Sequence, residues 1–189
     1  MKSKFSYSTL MIVLGLGLGT SLSAFAQDDA DDTHQISVVV PTVALLDLET
    51  SSVRNFSAAF TQATPLEAGD KVTAPAANST LWLNYSSIQT AEISKKVLVE
   101  TSALVPGVDI NVVAAASTTG SGDKGDPTTA FNLTVAPQPL ITGIGSAYTV
   151  SGPNNGHLLT YAFASNNTNY ADLRSGTVTV TVKYTLADE

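Results

Sequence analysis

The sequence predicts an all-β fold, and two observations lead to this expectation. Short segments rich in β-branched and aromatic residues recur along the chain, separated by clusters of Gly, Pro, Asn, Asp and Ser. After residue 26, no long segment keeps the apolar period of 3.6 residues that marks an amphipathic helix. Roughly seven to nine short strands with such turns indicate an antiparallel β-sandwich of the immunoglobulin-like type.

The most regular strand of the sequence is the one that closes the chain. Apolar residues occupy every second position there, and threonines and Lys183 fill the positions between them. Because successive side chains leave a strand on opposite faces, this period of two predicts a strand over 176–186 that is paired inside a sheet. The apolar side, which we expect to face the core, comprises Val178, Val180, Val182, Tyr184 and Leu186.

Six further strands are predicted from the same composition. Pro41 interrupts the first of them, and proline cannot donate to a ladder, so this segment is expected to lie at a sheet edge. The segments 64–70, 105–107, 118–128 and 151–156 are predicted turns or loops, and 52–62 stays open between strand and helical turn. The predicted strands are 35–49, 80–88, 93–102, 108–116, 130–136 and 157–164.

The first 26 residues have the pattern of a secretory signal peptide. Lys2 and Lys4 precede an apolar run, and small residues at Ala24 and Ala26 then form a cleavage site. We expect export through the Sec pathway to the periplasm, the cell surface or the medium. An acidic flexible leader (27–34) and a single β-sandwich domain (35–189) would follow. The chain has no cysteine, so packing without disulfides must stabilise it.

The net charge of the chain limits the classes of molecule that it is expected to bind. The net charge is −7, and loss of Lys2 and Lys4 with the signal would leave seven basic against 16 acidic residues, which is −9. An acidic surface repels phosphate backbones, so nucleic-acid binding is not expected. No second apolar span follows the signal, so we expect no integral membrane span in the mature chain.

Motifs for catalysis or cofactors are weak. Gly120, Gly122 and Gly125 match a dinucleotide-binding glycine pattern, but Asp126 and Pro127 follow where a helix should begin, so a flexible hairpin loop is predicted. Asp123 and Asp126 are weak calcium candidates without the spacing of a known calcium loop. His157 is expected at an exposed strand entrance. We predict no catalytic residues, no cofactor and no metal, and hence no enzyme.

Aromatic residues are the candidates for binding. In 80–88, Trp82 has the opposite parity to Leu81, Leu83 and Tyr85. Trp82 either points outward, where an indole can stack on a sugar or a partner, or packs in a strand that is buried on both faces. A carbohydrate-binding module would use Trp82 with Tyr85, Tyr148 or Tyr170 as stacking platforms.

Three stretches, "LWLNYSS", "ITGIGSAYTVSGPNNGHLLTYAF" and "SGTVTVTVKYTLADE", resemble exported bacterial β-sandwich proteins of the spore coat protein U and pilin-like type. The resemblance implies a non-catalytic structural subunit of surface fibres or coats. In that group a neighbour's N-terminal strand completes each sandwich by strand addition. Residues 36–48, with Ile36, Val38 and Val40 on one parity, would be the donor, or else would fold onto their own sandwich.

Overall fold

A computed structural model of the chain describes residues 31–90 and 93–189. Within these residues the chain forms nine antiparallel strands and a single 3-10 turn, Tyr170–Asp172, so the all-β prediction is confirmed. The strands are β1 (Val43–Thr50), β2 (Asn78–Ile88), β3 (Lys95–Thr101), β4 (Val108–Ala114), β5 (Ser121–Pro127), β6 (Phe131–Asn132), β7 (Gln138–Tyr148), β8 (His157–Ser165) and β9 (Val182–Asp188).

The amino-terminal segments are only partly described. The predicted signal peptide, its cleavage site and residues 27–30 of the leader lie outside the described residues. Residues 31–38 have no regular secondary structure and are exposed. Residues 39–189 form one compact unit, which contains all nine strands. None of the described residues belongs to a helix long and apolar enough to cross a membrane.

The strands form one sheet that folds into two layers. The first layer has the order β6-β4-β8-β2-β1, and the second has the order β5-β7-β3-β9. The layers join where the end of β7 pairs with β2, at Ser86 with Tyr148 and Ser87 with Ala147. The short strands of the sequence thus assemble as a β-sandwich-like fold, in which strands that are not consecutive in the chain, such as β4 and β8, pair with each other.

The core lies between the two layers and is built from one parity of each long strand. In β2 the core residues Leu81, Leu83 and Tyr85 occupy every second position, as the period of two predicts, and Asn84 between two of them is also buried, at 5% exposure. Val97 and Val99 of β3 pack against them from the other layer. Burial of each such side chain stabilises the fold by about 1.5–3 kcal/mol relative to an exposed one.

The segment 118–128 is not the flexible hairpin loop that its glycines predict. Residues 121–127 form β5, which pairs with β7. The glycines are needed because the two backbones approach very closely: a Cβ on Gly120 would lie 1.8 Å from the carbonyl oxygen of Tyr148, and one on Gly122 would lie 2.1 Å from that of Ser146. Here glycine permits close strand contact and positive φ rather than flexibility.

The closing strand is confirmed, but its bounds and place differ from the prediction. It begins at Val182 rather than at 176, and it stands at the end of the strand order, paired with β3. Val178 is 56% exposed, so it does not belong to the core. Alternating apolar residues show that one face of a segment is suited to burial. They do not show at which residue the segment begins to pair with its neighbouring strand.

The connection between β1 and β2 contains the undecided segment 52–62, which is neither strand nor helix. It is irregular apart from an isolated bridge between Thr61 and Thr73. Phe56 turns inward and packs on the core residues Tyr161 and Phe163, with ring centroids 5.6 and 6.3 Å away. This aromatic contact closes the sandwich near the end of β8.

The close approach of β5 to β7 can be tested with a pair of glycine variants. Gly122 and Gly143 both have positive φ, but a Cβ on Gly143 would meet nothing within 4 Å. Gly143→Ala should therefore cost only the roughly 1–2 kcal/mol of left-handed backbone strain. Gly122→Ala should cost clearly more, because β5 must also move off β7. Urea titrations would measure both, and equal losses would contradict this account.

Candidate functional site

Among the described strands, β1, β5, β6 and β9 each pair with a single neighbour in the ladder, and β1 and β9 lie on the same side of the sandwich. Within residues 39–189, β1 pairs only with β2, and β9 pairs only with β3. Half of the backbone N–H and C=O groups of an edge strand point away from its single neighbour. Each of these strands therefore offers hydrogen-bonding groups to a further strand.

The strands β1 and β9 run in opposite directions along their free edges. Val43 at the start of β1 pairs with Ile88, and Asp188 at the end of β9 pairs with Lys95. Ile88 and Lys95 flank the short connection between β2 and β3, so the start of β1 and the end of β9 share one end of the sandwich. Residues of both strands line a cavity of about 180 Å³ there.

Between these two edges the core is only partly covered. The apolar side chains that β1 and β9 contribute to the core are half-buried, whereas those of the inner strands β2, β3 and β7 are almost fully buried. A strand with neighbours on both sides would shield its inward side chains more completely. We call this half-covered set the open strip; it comprises Leu46, Leu48, Val182, Tyr184 and Leu186.

Tyr184 anchors the open strip to the opposite layer. Its hydroxyl group is hydrogen-bonded to that of Tyr161 on β8. Burial raises the pKa of Tyr161 to about 12. Burial, and then the neighbouring Tyr161, raise the pKa of Tyr184 still further above its ordinary value. Both hydroxyls therefore stay protonated at physiological pH and keep β9 attached across the core.

Polar contacts at both ends of β9 hold it on β3. Lys183 pairs with Glu100 at 2.9 Å, and Lys95 pairs with Asp188. The Glu189 carboxylate accepts hydrogen bonds from the Ser94 hydroxyl (2.7 Å) and from the backbone N–H of Gly143 (3.0 Å). The Ser94 hydroxyl, and then this N–H, lower the pKa of Glu189. The register of β9 is thereby fixed, while its outer edge keeps no strand partner within residues 39–189.

The segment that precedes β1 exposes an apolar run. Ile36 is 75% exposed, Val38 80%, Val39 90% and Val40 66%, and none of residues 31–42 belongs to a strand. Exposed branched residues in sequence are costly in water and favour extended backbone. Ile36, Val38 and Val40, which sequence analysis assigned to one parity of a donor strand, are thus all accessible.

Of the four aromatic residues that were predicted as binding platforms, the structure places Trp82, Tyr148 and Tyr170 at the surface and Tyr85 in the core. Trp82 lies on the outer face of β2, partly exposed, between Glu49 of β1 and Leu158 of β8. Tyr85 is only 4% exposed and faces the core, so its assignment as a surface residue is wrong. Tyr85 shares its parity in β2 with Leu83, and this pattern already indicated that Tyr85 faces the core. Tyr148 and Tyr170 keep exposed rings, at 53% and 37%.

The expectation of an exposed His157 is also wrong, because this residue is completely buried. Its Nδ1–H donates to the Ala115 carbonyl at 2.9 Å, which leaves Nε2 to face the Tyr85 hydroxyl at 2.8 Å. The two rings stack at 5.4 Å, and the Tyr85 hydroxyl also contacts the Lys124 carbonyl. Burial lowers the pKa of His157 and raises that of Tyr85. This network fastens β5 to the core.

Asp123 and Asp126, the weak calcium candidates, both lie on β5. Asp126 pairs with Thr142 of β7, while the Asp123 side chain lies against Gly145. No three His, Asp or Glu side chains among the described residues come together in a group that could hold a metal ion. The structure therefore adds no argument for a metal at these two carboxylates.

Comparisons with protein-family models, with curated proteins and with solved structures find no match to this chain.

The buried histidine makes stability depend on pH. Because folding lowers the pKa of His157, the imidazole binds a proton at a higher pH in the unfolded chain than in the folded one. The free energy of unfolding should be largest above about pH 6.5, the ordinary pKa of histidine, and should fall as the pH decreases towards 5. Urea titrations across this range measure the effect. His157→Gln should flatten the profile, whereas His34→Gln in the exposed leader should not.

Proposed function

We propose that the chain is a non-catalytic, exported structural subunit of the bacterial cell surface, pilin-like or coat-like, which assembles by strand addition. The observation that carries this proposal is the open strip between the free edges of β1 and β9. A strand laid along it would complete the backbone ladder and cover half-buried core side chains at once. Catalysis is not required to account for either feature.

The exposed segment before β1 has the properties of the strand that is added. Ile36, Val38 and Val40 would face the open strip, while Ser37 and Val39 would face water. Complete burial of these three side chains would contribute at most roughly 4–9 kcal/mol before ordering costs are subtracted. That range is comparable to the net stability of a whole domain, so one short segment suffices to link two subunits.

The resemblance to spore coat protein U-type and pilin-like proteins supports the same proposal. The resemblance implies export, assembly at the surface, and sandwiches completed by N-terminal strands from neighbours. A secretory signal pattern at residues 1–26 and an acidic leader fit a subunit that must leave the cytoplasm before it assembles. The partner would be a second copy or a related subunit.

A pair of charge substitutions in the segment tests strand addition. Val38→Asp places a charge on the parity that would face the open strip, so it should abolish self-association. Val39→Asp places the same charge one position away, on the parity that would face water, and should leave association unchanged. Light scattering and electron microscopy of the purified protein would follow the assemblies.

The two variants control for each other. Val38 and Val39 are 80% and 90% exposed, so neither change should alter the melting temperature of the single subunit. Association that survives in both variants, or fails in both, would contradict insertion of an alternating strand. A wild-type protein that stays monomeric at all concentrations would contradict self-assembly itself.

Carbohydrate binding is the second candidate, and the position of Trp82 favours it. The partly exposed indole has a carboxylate, Glu49, directly across the ladder, which is a suitable neighbour for a stacked sugar hydroxyl. Trp82→Ala should then remove the signal from a glycan array while changing the melting temperature little. A glycan signal that persists in Trp82→Ala, or the absence of any signal from the wild type, would contradict this function.

A further inference from the structure

The loop between β7 and β8 contains the only Asn-Gly pair in the sequence, Asn155 and Gly156. Because glycine has no side chain, its backbone nitrogen can approach the side chain of the preceding asparagine closely. Asparagine is also one of the chemically labile residues of proteins. Asn155 is half-buried, and Gly156 directly precedes the first residue of β8. The pair is thus a candidate for a covalent change of the folded chain.

The reaction available to this pair is deamidation. Hydroxide removes the proton of the Gly156 amide, and the nitrogen then attacks Cγ of Asn155 with its electron pair. A bond from this nitrogen to Cγ forms, and the bond from Cγ to the side-chain nitrogen breaks. Ammonia leaves after taking a proton from water, which restores the hydroxide, and a five-membered succinimide ring remains. Water then opens the ring at one of its two carbonyl carbons and gives aspartate or isoaspartate.

Two hydrogen bonds oppose the first step of this reaction. The backbone N–H of Gly156 donates to the hydroxyl oxygen of Thr119 at 2.8 Å. The side-chain amide of Asn155 donates to the carbonyl oxygen of Ser151 at 2.8 Å. The attacking nitrogen and the attacked amide are therefore each held by a different partner. Attack requires that the loop opens locally and that both hydrogen bonds break.

The Thr119 hydroxyl is well placed to hold the loop. It accepts from Gly156 and at the same time donates to the carbonyl oxygen of Thr149 at 2.6 Å. Thr119 precedes β5, Thr149 follows β7 and Gly156 precedes β8. One hydroxyl group thus joins three connections of the sandwich, and its orientation is fixed by two partners.

The fold requires glycine at position 156. Gly156 has a φ of 72°, in the left-handed region that favours glycine. A Cβ on this residue would lie 2.2 Å from Oδ1 of Asn84 and 2.4 Å from the carbonyl oxygen of Leu83. The loop therefore packs on β2 too closely for any other residue. The glycine of the labile pair cannot be exchanged, so protection has to come from the surrounding contacts.

We infer that Asn155 is a deamidation site of this chain and that the Thr119 hydroxyl sets the rate of its modification. The isoaspartate product adds one carbon to the main chain before Gly156, which has no room to shift against β2. The modified loop should therefore stay open beside the buried His157, the next residue along the chain. The inference goes beyond the proposed function and does not depend on strand addition.

Two substitutions at position 119 test the role of the hydroxyl. Thr119→Val keeps the shape of the side chain but removes the acceptor, whereas Thr119→Ser keeps the hydroxyl. In mildly alkaline buffer, peptide mass spectrometry should show Asn155 converting roughly 2- to 12-fold faster in Thr119→Val than in the wild type, the effect of one lost hydrogen bond on a local opening equilibrium. Thr119→Ser should convert at nearly the wild-type rate. Equal rates in Thr119→Val and the wild type would overturn the inference.

The wild type provides a second test that needs no variant. Asn155 should convert at least roughly fivefold more slowly in the native chain than in the urea-unfolded chain, because two hydrogen bonds must break first. Asn154 lies in the same loop but does not precede glycine, so it is the internal control and should stay unmodified. Equal native and unfolded rates would refute the protection even if Thr119→Val failed to fold. No conversion of Asn155 in the unfolded chain would refute the site itself.

The effect of the modification on the fold is measured on the modified protein. Ion exchange separates the deamidated forms by their added negative charge, and the isoaspartate form should melt at a lower temperature than the unmodified chain. Asn155→Asp has the same charge without the additional main-chain carbon, so its melting temperature should fall less. Equal melting temperatures of the isoaspartate form and the unmodified chain would contradict an open loop in the product.

Discussion

The proposed function depends on the unpaired backbone groups at the outer edges of β1 and β9. Every open β-sheet has edge strands, and most proteins protect these strands with charges, bulges or covering loops. Here β1 and β9 end on the same side and leave apolar core residues such as Leu46 and Leu186 half covered between them. The contacts of Lys95, Glu100 and Glu189 nevertheless hold β9 in register on β3. The outer edge of β9 is therefore ordered and at the same time free to pair with a further strand.

Close contacts hold the opposite side of the sandwich together. Gly120 and Gly122 let β5 lie directly against β7, and the Tyr85–His157 contact fastens β5 to the interior. The Tyr161–Tyr184 hydrogen bond then connects the two layers close to the open strip. Partly buried core side chains occur along the open strip and also at Ile110, Phe131 and Phe163, whereas the inward residues of β2, β3 and β7 are almost fully buried.

The sequence predicted most of the strands because alternating apolar residues report one buried face, as in β2 around Leu83. It did not reveal β7 (Gln138–Tyr148), which lies in none of the predicted strands, or β5, whose glycines have no side chains to alternate and were interpreted as a loop. The sequence also did not reveal that β9 lies at an edge or that it begins at Val182. The valines before Val182 continue the alternation of β9 but do not pair with a neighbouring strand. Periodicity shows which face is buried but not which neighbour a strand has. The open strip therefore required the structure, whereas the shared parity of Ile36, Val38 and Val40 was visible in the sequence.

The contact between donor and acceptor can be measured most directly by disulfide trapping, since the chain contains no cysteine. One population would carry Val38→Cys and a second would carry either Val182→Cys or Leu186→Cys. A disulfide requires Cβ atoms about 3.5–4.5 Å apart, so it forms only between side chains that meet. Strand addition predicts linked pairs from Val38→Cys mixed with at least one acceptor variant, and none when Val39→Cys replaces it. Equal yields from both donor positions, or no linkage in assembled protein, would contradict the account.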